Sequence, residues 1–294
     1  MKTSEGKGIL YAVCCYSLWG LLPVYWKALS SIPAYEILCH RIAWSFLLLI
    51  LILFSKSHWK WIRTKLKNRR TIVTFLGTSC LIGFNWMTFI WAVNSGYLVE
   101  VSLGYFINPL ISVLLGVVIL REKIRIWQGV AVAVAVVGVL HMTINYGSFP
   151  WIALALAGSF GFYGLLRKTG SLNSIEGLTF ETGMLFLPAF FLLLSMEFKG
   201  NAAFGHSTLP ENLLLLLSGV VTAFPLLLFT AAVRRIRLST IGILQYISPT
   251  FQFILGVFIY GEDFSTDRLI GFIIIWIALL IYTADGIFRK NKNL

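Results

Sequence analysis

Ten runs of about twenty apolar residues, separated by short polar stretches, leave this chain few ways to fold outside a lipid bilayer. A helix needs about 20 residues to cross the hydrocarbon core. On that measure the spans fall at roughly 8–27, 34–54, 72–93, 98–120, 127–144, 150–167, 177–196, 211–233, 239–260 and 268–288. Hydrocarbon cannot solvate free backbone N–H and C=O groups, so a span of this kind has to be a helix. The expectation is an all-α membrane protein of ten transmembrane helices. Composition agrees, with 58% of 294 residues hydrophobic and 12% charged, against about 25% charged in soluble domains.

The formal charge of +12 would suggest nucleic acid in a soluble chain, but here the cations are sorted by loop. With the N-terminus inside, the inner loops hold Lys2 and Lys7, seven cations from Lys56 to Arg70, then Arg121, Lys123, Arg125, Arg167, Lys168, Arg234, Arg235, Arg237, Arg289, Lys290 and Lys292. The other face has only Lys27, Lys199 and Arg268, and Arg41 lies inside a span. The positive-inside rule places both termini in the cytoplasm and assigns no nucleic-acid partner. The first run continues through Trp26 without a small-residue cleavage pattern, so it reads as a retained helix rather than a signal peptide. Cys14, Cys15, Cys39 and Cys80 all fall in apolar segments without CxxC spacing, which indicates neither a disulfide framework nor a metal site.

Ten spans divide into halves of five, residues 1–145 and 146–294, and an odd number per half forces the second half to enter from the opposite face. Internal repetition supports the division. Pro109, Gly116 and Glu122 recur 140 positions later as Pro249, Gly256 and Glu262, and Phe89 and Ala92 as Phe229 and Ala232. Trp19-Gly20-Leu21-Leu22 is echoed by Tyr163-Gly164-Leu165-Leu166, and Glu36 and Glu181 open spans two and seven. Inverted repeats are a recurrent transporter architecture, with the binding site near the midplane where the repeats meet.

Candidate site residues follow from polar groups inside apolar runs. At 100° per residue, Ser102, Tyr105, Pro109, Ser112 and Gly116 form one stripe, and Gly242, Gln245, Pro249, Gln252 and Gly256 its counterpart. Such stripes line a cavity or pack helices closely. Asn108 and Tyr246 lie beside them, and Pro109 and Pro249 are expected to bend their helices and to approach each other near the midplane. In span two, Glu36, His40 and Trp44 share a face with Arg41 at its margin, and an embedded Arg41 needs a partner. Glu181 is either one half of an ion pair to another helix or a carboxyl poised to take up a proton. Asn85 makes an interhelical hydrogen bond or a substrate contact, while Trp44, Trp86 and Tyr163 are aromatic cavity candidates. Trp19, Trp26, Trp59, Trp61, Trp127 and Trp151 sit near span ends and read as interface anchors. The basic segment from Ser55 to Thr71, with Trp59, Ile62 and Leu66 at helical spacing, is either an interfacial helix or a solvated loop. The small residues of span five, from Gly129 to Gly138, pack within the fold or in a homodimer.

Trp19-Gly20, EILCHRIAW (Glu36–Trp44), Asn85-Trp86, Trp91–Asn94, SLGYFINPL (Ser102–Leu110), Tyr163–Lys168 and Gly177–Thr182 together resemble the chloramphenicol-sensitivity (RarD) family, in the EamA branch of the drug/metabolite transporters. The resemblance covers essentially the whole chain. It implies two inverted five-helix EamA repeats around a central cavity and a bacterial inner-membrane carrier working by alternating access. The second half departs from the first where Gln245-Tyr246-Ile247-Ser248 replaces Tyr105-Phe106-Ile107-Asn108.

The function expected is secondary transport of a small organic metabolite or drug-like molecule, with export as the direction and proton coupling through Glu36, Arg41 or Glu181 as an option. The partners are a small molecule and the bilayer, and no cofactor is called for. Primary transport lacks its GxxxxGK[ST] phosphate loop. A membrane enzyme is one alternative, although Asp263, Asp267 and Asp285, all near span ends, are the only aspartates and no HExxH or GxSxG motif is present. A channel is the other, and would need a ring of like polar groups along a pore.

Overall fold

The computed structural model describes residues 2–55, 59–261 and 266–292. Its elements are α1 (Lys2–Lys27), α2 (Ala34–Ser55), α3 (Lys60–Lys65), α4 (Arg69–Asn94), α5 (Leu98–Val118), α6 (Ile126–Tyr146), α7 (Trp151–Thr169), α8 (Ser174–Phe198), α9 (Leu209–Val233), α10 (Leu238–Gln245) and α11 (Ile247–Ile254), which runs into a π-helical turn (Leu255–Ile259), and finally α12 (Thr266–Lys292). Lys56, Glu262 and Asp263 lie outside the described residues. Among the described residues, eight segments are long and apolar enough to cross a membrane, one of them Leu238–Ile259, which joins α10, α11 and the π turn. The helix α7 stands outside that set, and α12 carries a shorter apolar stretch, Leu269–Asp285. The fold is that of an all-α multi-pass membrane protein.

Short polar signals set the helix ends. Asn68 caps α4 by accepting the Arg70 N–H at 2.9 Å, and Asn173 and Glu176 form a reciprocal capping box on α8. Gly147 closes α6 with φ 79°, a left-handed conformation that costs glycine little.

Packing respects an exchange of halves. Swapping α1 with α7, α2 with α8, α4 with α9, α5 with α10/α11 and α6 with α12 maps the main contacts onto one another: α5 on α7 becomes α11 on α1, α4 on α7 becomes α9 on α1, and α2 on α9 becomes α8 on α4. The pairs α2–α8, α5–α10 and α6–α12 map onto themselves. The starts of α2 and α8 also correct one sequence alignment. Glu36 and Glu176 each lie in a first turn, so the counterpart of Glu36 is Glu176, and Glu181 occupies the position of Arg41.

Without water to drive association, membrane helices gain by close backbone approach and by hydrogen bonds. A Cβ at Gly219 would meet the Trp44 carbonyl carbon at 2.4 Å, and one at Gly242 would meet the Pro109 carbonyl oxygen at 2.4 Å. These glycines let α9 seat on α2 and α10 on α5. On α6, Ala131 and Ala135 are buried within the chain, and Gly138 packs on Gly271, Ile274 and Ile275 of α12. An Arg125–Asp285 ion pair at 2.7 Å closes one end of the same pair.

The two prolines act differently. Pro249 follows a break between α10 and α11, whereas α5 continues through Pro109. A helical proline frees the carbonyl four residues back and weakens the ladder around it. Beside that defect the hydroxyl of Tyr246, 1% exposed, donates to the Phe106 carbonyl at 3.1 Å. Tyr246→Phe removes that interhelical hydrogen bond and is expected to cost about 1 kcal/mol, read as a lower unfolding midpoint in detergent with the fold unchanged.

The basic segment after α2 forms the short helix α3, anchored differently from the sequence expectation. Trp61, expected at the interface, is 5% exposed and packs with Leu53, Phe75 and Leu172, while Ile62 is exposed. Lys65 adds an ion pair to Glu176 at 2.6 Å. The loop therefore folds back on its own protein.

Candidate functional site

The helices enclose a cavity of about 460 Å³, within the range of about 300–1,000 Å³ of small-molecule sites. Its wall uses one half each of α1, α4 and α5. On α1 it runs from Tyr16 through Trp19 to Trp26, on α4 from Asn85 to Val93, and on α5 from Asn108 back to Val101. Phe160, Thr222, Gln245, Pro249 and Gln252 complete it from α7, α9, α10 and α11. The cavity thus extends from mid-helix toward the end of the bundle away from Lys2.

Of the fourteen residues put forward as substrate contacts or helix-bending prolines, seven stand in this wall, Arg41, Asn85, Trp86, Tyr105, Asn108, Gln245 and Pro249, together with Gln252 of the second stripe. Asn85 makes interhelical hydrogen bonds, donating to the Leu156 carbonyl and to Ser159 Oγ, each at 2.9 Å, and stands on the cavity surface. The Asn108 Oδ1 and Gln245 Oε1 atoms are buried without a hydrogen-bond partner among the described residues. Tyr105 is 37% exposed, and its ring lies edge-on to Phe89.

Among the described residues, Arg41 is held without a carboxylate. Its Nε donates to Thr222 Oγ1 at 3.0 Å, and its guanidinium lies 4.7 Å from the Trp26 ring and 5.4 Å from Trp86. An embedded cation costs about 2.5–3.5 kcal/mol at the span centre. Cation–π contacts return about 0.5–2 kcal/mol each, so the two indoles and the threonine offset much of that cost.

The other seven lie elsewhere. Glu36 Oε1 accepts the backbone N–H groups of Ala203 and Phe204 at 2.7 and 3.1 Å, while His40 and Trp44 flank the Phe204 ring at 4.9 and 5.9 Å. This face of α2 holds the loop between α8 and α9. Pro109 and Tyr246 sit in the α5–α10 junction. Glu181 receives the Tyr163 hydroxyl at 3.0 Å and faces Arg167 Nη1 at 3.4 Å, all three being at most 1% exposed. The structure supplies the interhelical cation for Glu181 from Arg167, which the sequence counted among the loop charges.

Trp19 and Trp26, expected at the interface, belong to the wall, and Thr222 and Phe160 were not singled out. The echo of Trp19-Gly20 in Tyr163-Gly164 was the available signal for Trp19. A hydroxyl inside a leucine-rich span was the signal for Thr222.

At the far end of the bundle the positions equivalent to the cavity wall are closed. Tyr163 stacks on Phe229 at 6.0 Å in a cluster with Tyr16, Leu238 and Ile241, each at most 2% exposed. Glu122, after α5, seals this end. Its Oε1 accepts Leu238 N–H at 2.7 Å, and its Oε2 accepts Ser239 N–H at 2.9 Å and Ser239 Oγ–H at 2.8 Å. Lys168 stands 3.9 Å from the same carboxylate and donates to the Val233 and Ile236 carbonyls.

The EamA-like transporter family matches this chain twice, over residues 6–144 and 149–284. Protein RarD of Salmonella typhi is 43% identical over 287 residues, covering 98% of each chain. The uncharacterized transporter YojE of Bacillus subtilis is 47% identical over 292 residues, covering 98% of this chain and 97% of its own. The chloramphenicol-sensitive protein RarD of Pseudomonas aeruginosa is 30% identical, with 98% of each chain covered. A solved crystal structure at 15% identity aligns with a TM-score of 0.71 over 94% of this chain and 97% of the other, a likeness of fold. With both halves matched and these relatives aligned over nearly their whole length, the chain belongs to the EamA-like transporter family, in its RarD group.

Proposed function

We propose that this protein is a secondary carrier that moves a small organic metabolite or drug-like molecule across the bacterial inner membrane by alternating access. One observation carries the reading: helix packing respects the exchange of halves, yet the cavity does not. Trp19, Arg41 and Phe89 border open space, while Tyr163, Glu181 and Phe229, their counterparts, lie buried outside the cavity wall. In a fold of two like halves such asymmetry describes one of two states, and exchanging the conformations of the halves generates the other. Counting α7 and α12 as spans gives ten, in inverted halves 1–145 and 146–294. Both termini then face the cytoplasm, and the cavity faces outward.

Export is the direction proposed. Relatives named as transporters support a carrier over an enzyme, and the sealed far end supports it over a continuous channel. In proteoliposomes carrying the protein, a panel of metabolites and drugs including chloramphenicol is expected to contain a molecule whose flux saturates. Single-channel currents, or no flux of any panel member with or without a proton gradient, would overturn the reading. A dimer through the outer faces of α6 and α12 remains compatible with it.

A further inference from the structure

Resting on the carrier reading, we propose that the central cavity selects a small organic monoanion, a carboxylate on an aromatic or apolar body, with Arg41 gripping the carboxylate. Among the described residues, Arg41 is the one charged side chain in the cavity wall. Among the described residues, the buried Arg167 faces Glu181 and the partly buried Lys168 faces Glu122. Among the described residues no carboxylate pairs with Arg41. Thr222 engages Nε alone, at 3.0 Å, so the two Nη groups, the fork that matches a carboxylate, keep their donors for a ligand.

The guanidinium is also fixed in place. The faces of Trp26 and Trp86 hold it from two directions, which removes much of the ordering cost that a free arginine side chain meets on binding. The remaining wall is uncharged, with Phe89 and Phe160 providing apolar surface. A single fixed cation balances one negative charge. A dianion would bring an uncompensated charge into a site of low dielectric, and a cation would meet repulsion with no acid to offset it.

The test is binding to purified protein in nanodiscs, followed by calorimetry, with 3-phenylpropionate, its amide, phenethylammonium and phenyl phosphate as probes. The carboxylate is expected to bind at least tenfold tighter than the other three. Arg41→Gln should abolish that preference, and Arg41→Lys should retain part of it. If Arg41→Gln does not fold, Thr222→Val provides the second variant. It frees Nε and is expected to weaken carboxylate binding about threefold to tenfold, leaving the amide unchanged. Equal or tighter binding of the amide or the ammonium, undiminished carboxylate binding by Arg41→Gln, or no binding of any probe at millimolar concentration overturns the proposal. A carboxylate that binds but is never moved retains the anion site and removes the carrier reading. A neutral or cationic molecule moved saturably does the reverse.

Discussion

Replacing Glu181 by alanine is expected to destabilise the folded protein by about 3–5 kcal/mol, the cost of leaving one member of a buried ion pair alone. Arg167 is 1% exposed. Without Glu181 it keeps only the Ser174 carbonyl at 3.1 Å, a long contact to Asn173 and the face of Phe75 at 5.3 Å. Those groups do not neutralise a charge in hydrocarbon. Nor can the guanidinium readily withdraw, because its Nη1 occupies the space where a Cβ on Gly177 would stand, 1.6 Å from that atom's ideal position. The Arg167→Met/Glu181→Leu double variant removes both charges at similar volume and should recover most of the loss. Unfolding midpoints of the three proteins in one detergent decide it. A single variant as stable as the parent would show that solvent reaches this pair.

The second large effect is expected at the sealed end, where Glu122→Gln should populate the opposite state about tenfold to a hundredfold more. The Glu122 carboxylate accepts three hydrogen bonds at the start of α10 and faces Lys168. Hydrogen bonds to a charged group contribute about 1.5–3 kcal/mol each. An amide keeps one acceptor oxygen, turns an NH₂ donor toward the Ser239 N–H and loses the attraction to Lys168. The junction links the end of α5 in one half to the start of α10 in the other, so weakening it relieves the closed end specifically. The rate at which a thiol reagent reaches a cavity cysteine from the closed end reads the shift. An unchanged rate would mean that this junction persists in both states.

Much of the fold was legible because the bilayer imposes a simple ruler. Span length, loop cations and the 140-residue repeat each follow from a constraint that acts on every span alike. Helix rotation was not legible, because helices apolar on all sides give little sign of which face meets protein. Trp19 and Trp26 were therefore assigned to the interface by their distance from a span end, although rotation of α1 turns both inward. Arg167 was counted with the loop cations for the same reason: it stands at a span end, and its partner lies on another helix. Half of the singled-out residues reached the cavity wall because a polar group in an apolar span reports a need for a partner, not which partner meets it. For Glu36 the partner is the loop at Ala203 and Phe204, for Glu181 an arginine, and for Tyr246 a carbonyl beside a proline. The paired prolines misled in one respect. Identical residues at equivalent positions gave a broken helix in one half and a continuous one in the other, and in the continuous one Tyr246 bonds a carbonyl beside the defect.

Two-state access to a single cavity is tested most directly by thiol labelling of an Asn108→Cys variant in a background freed of Cys14, Cys15, Cys39 and Cys80. Asn108 is 6% exposed and stands in the cavity wall. Sealed vesicles of each orientation would be treated with a membrane-impermeant reagent. The account predicts labelling from both faces, faster from the face at the Trp26 end, with the vesicles remaining tight and Glu122→Gln accelerating only the slower side. Labelling confined to one face under every condition, or a leak of reagent through the protein, would contradict it.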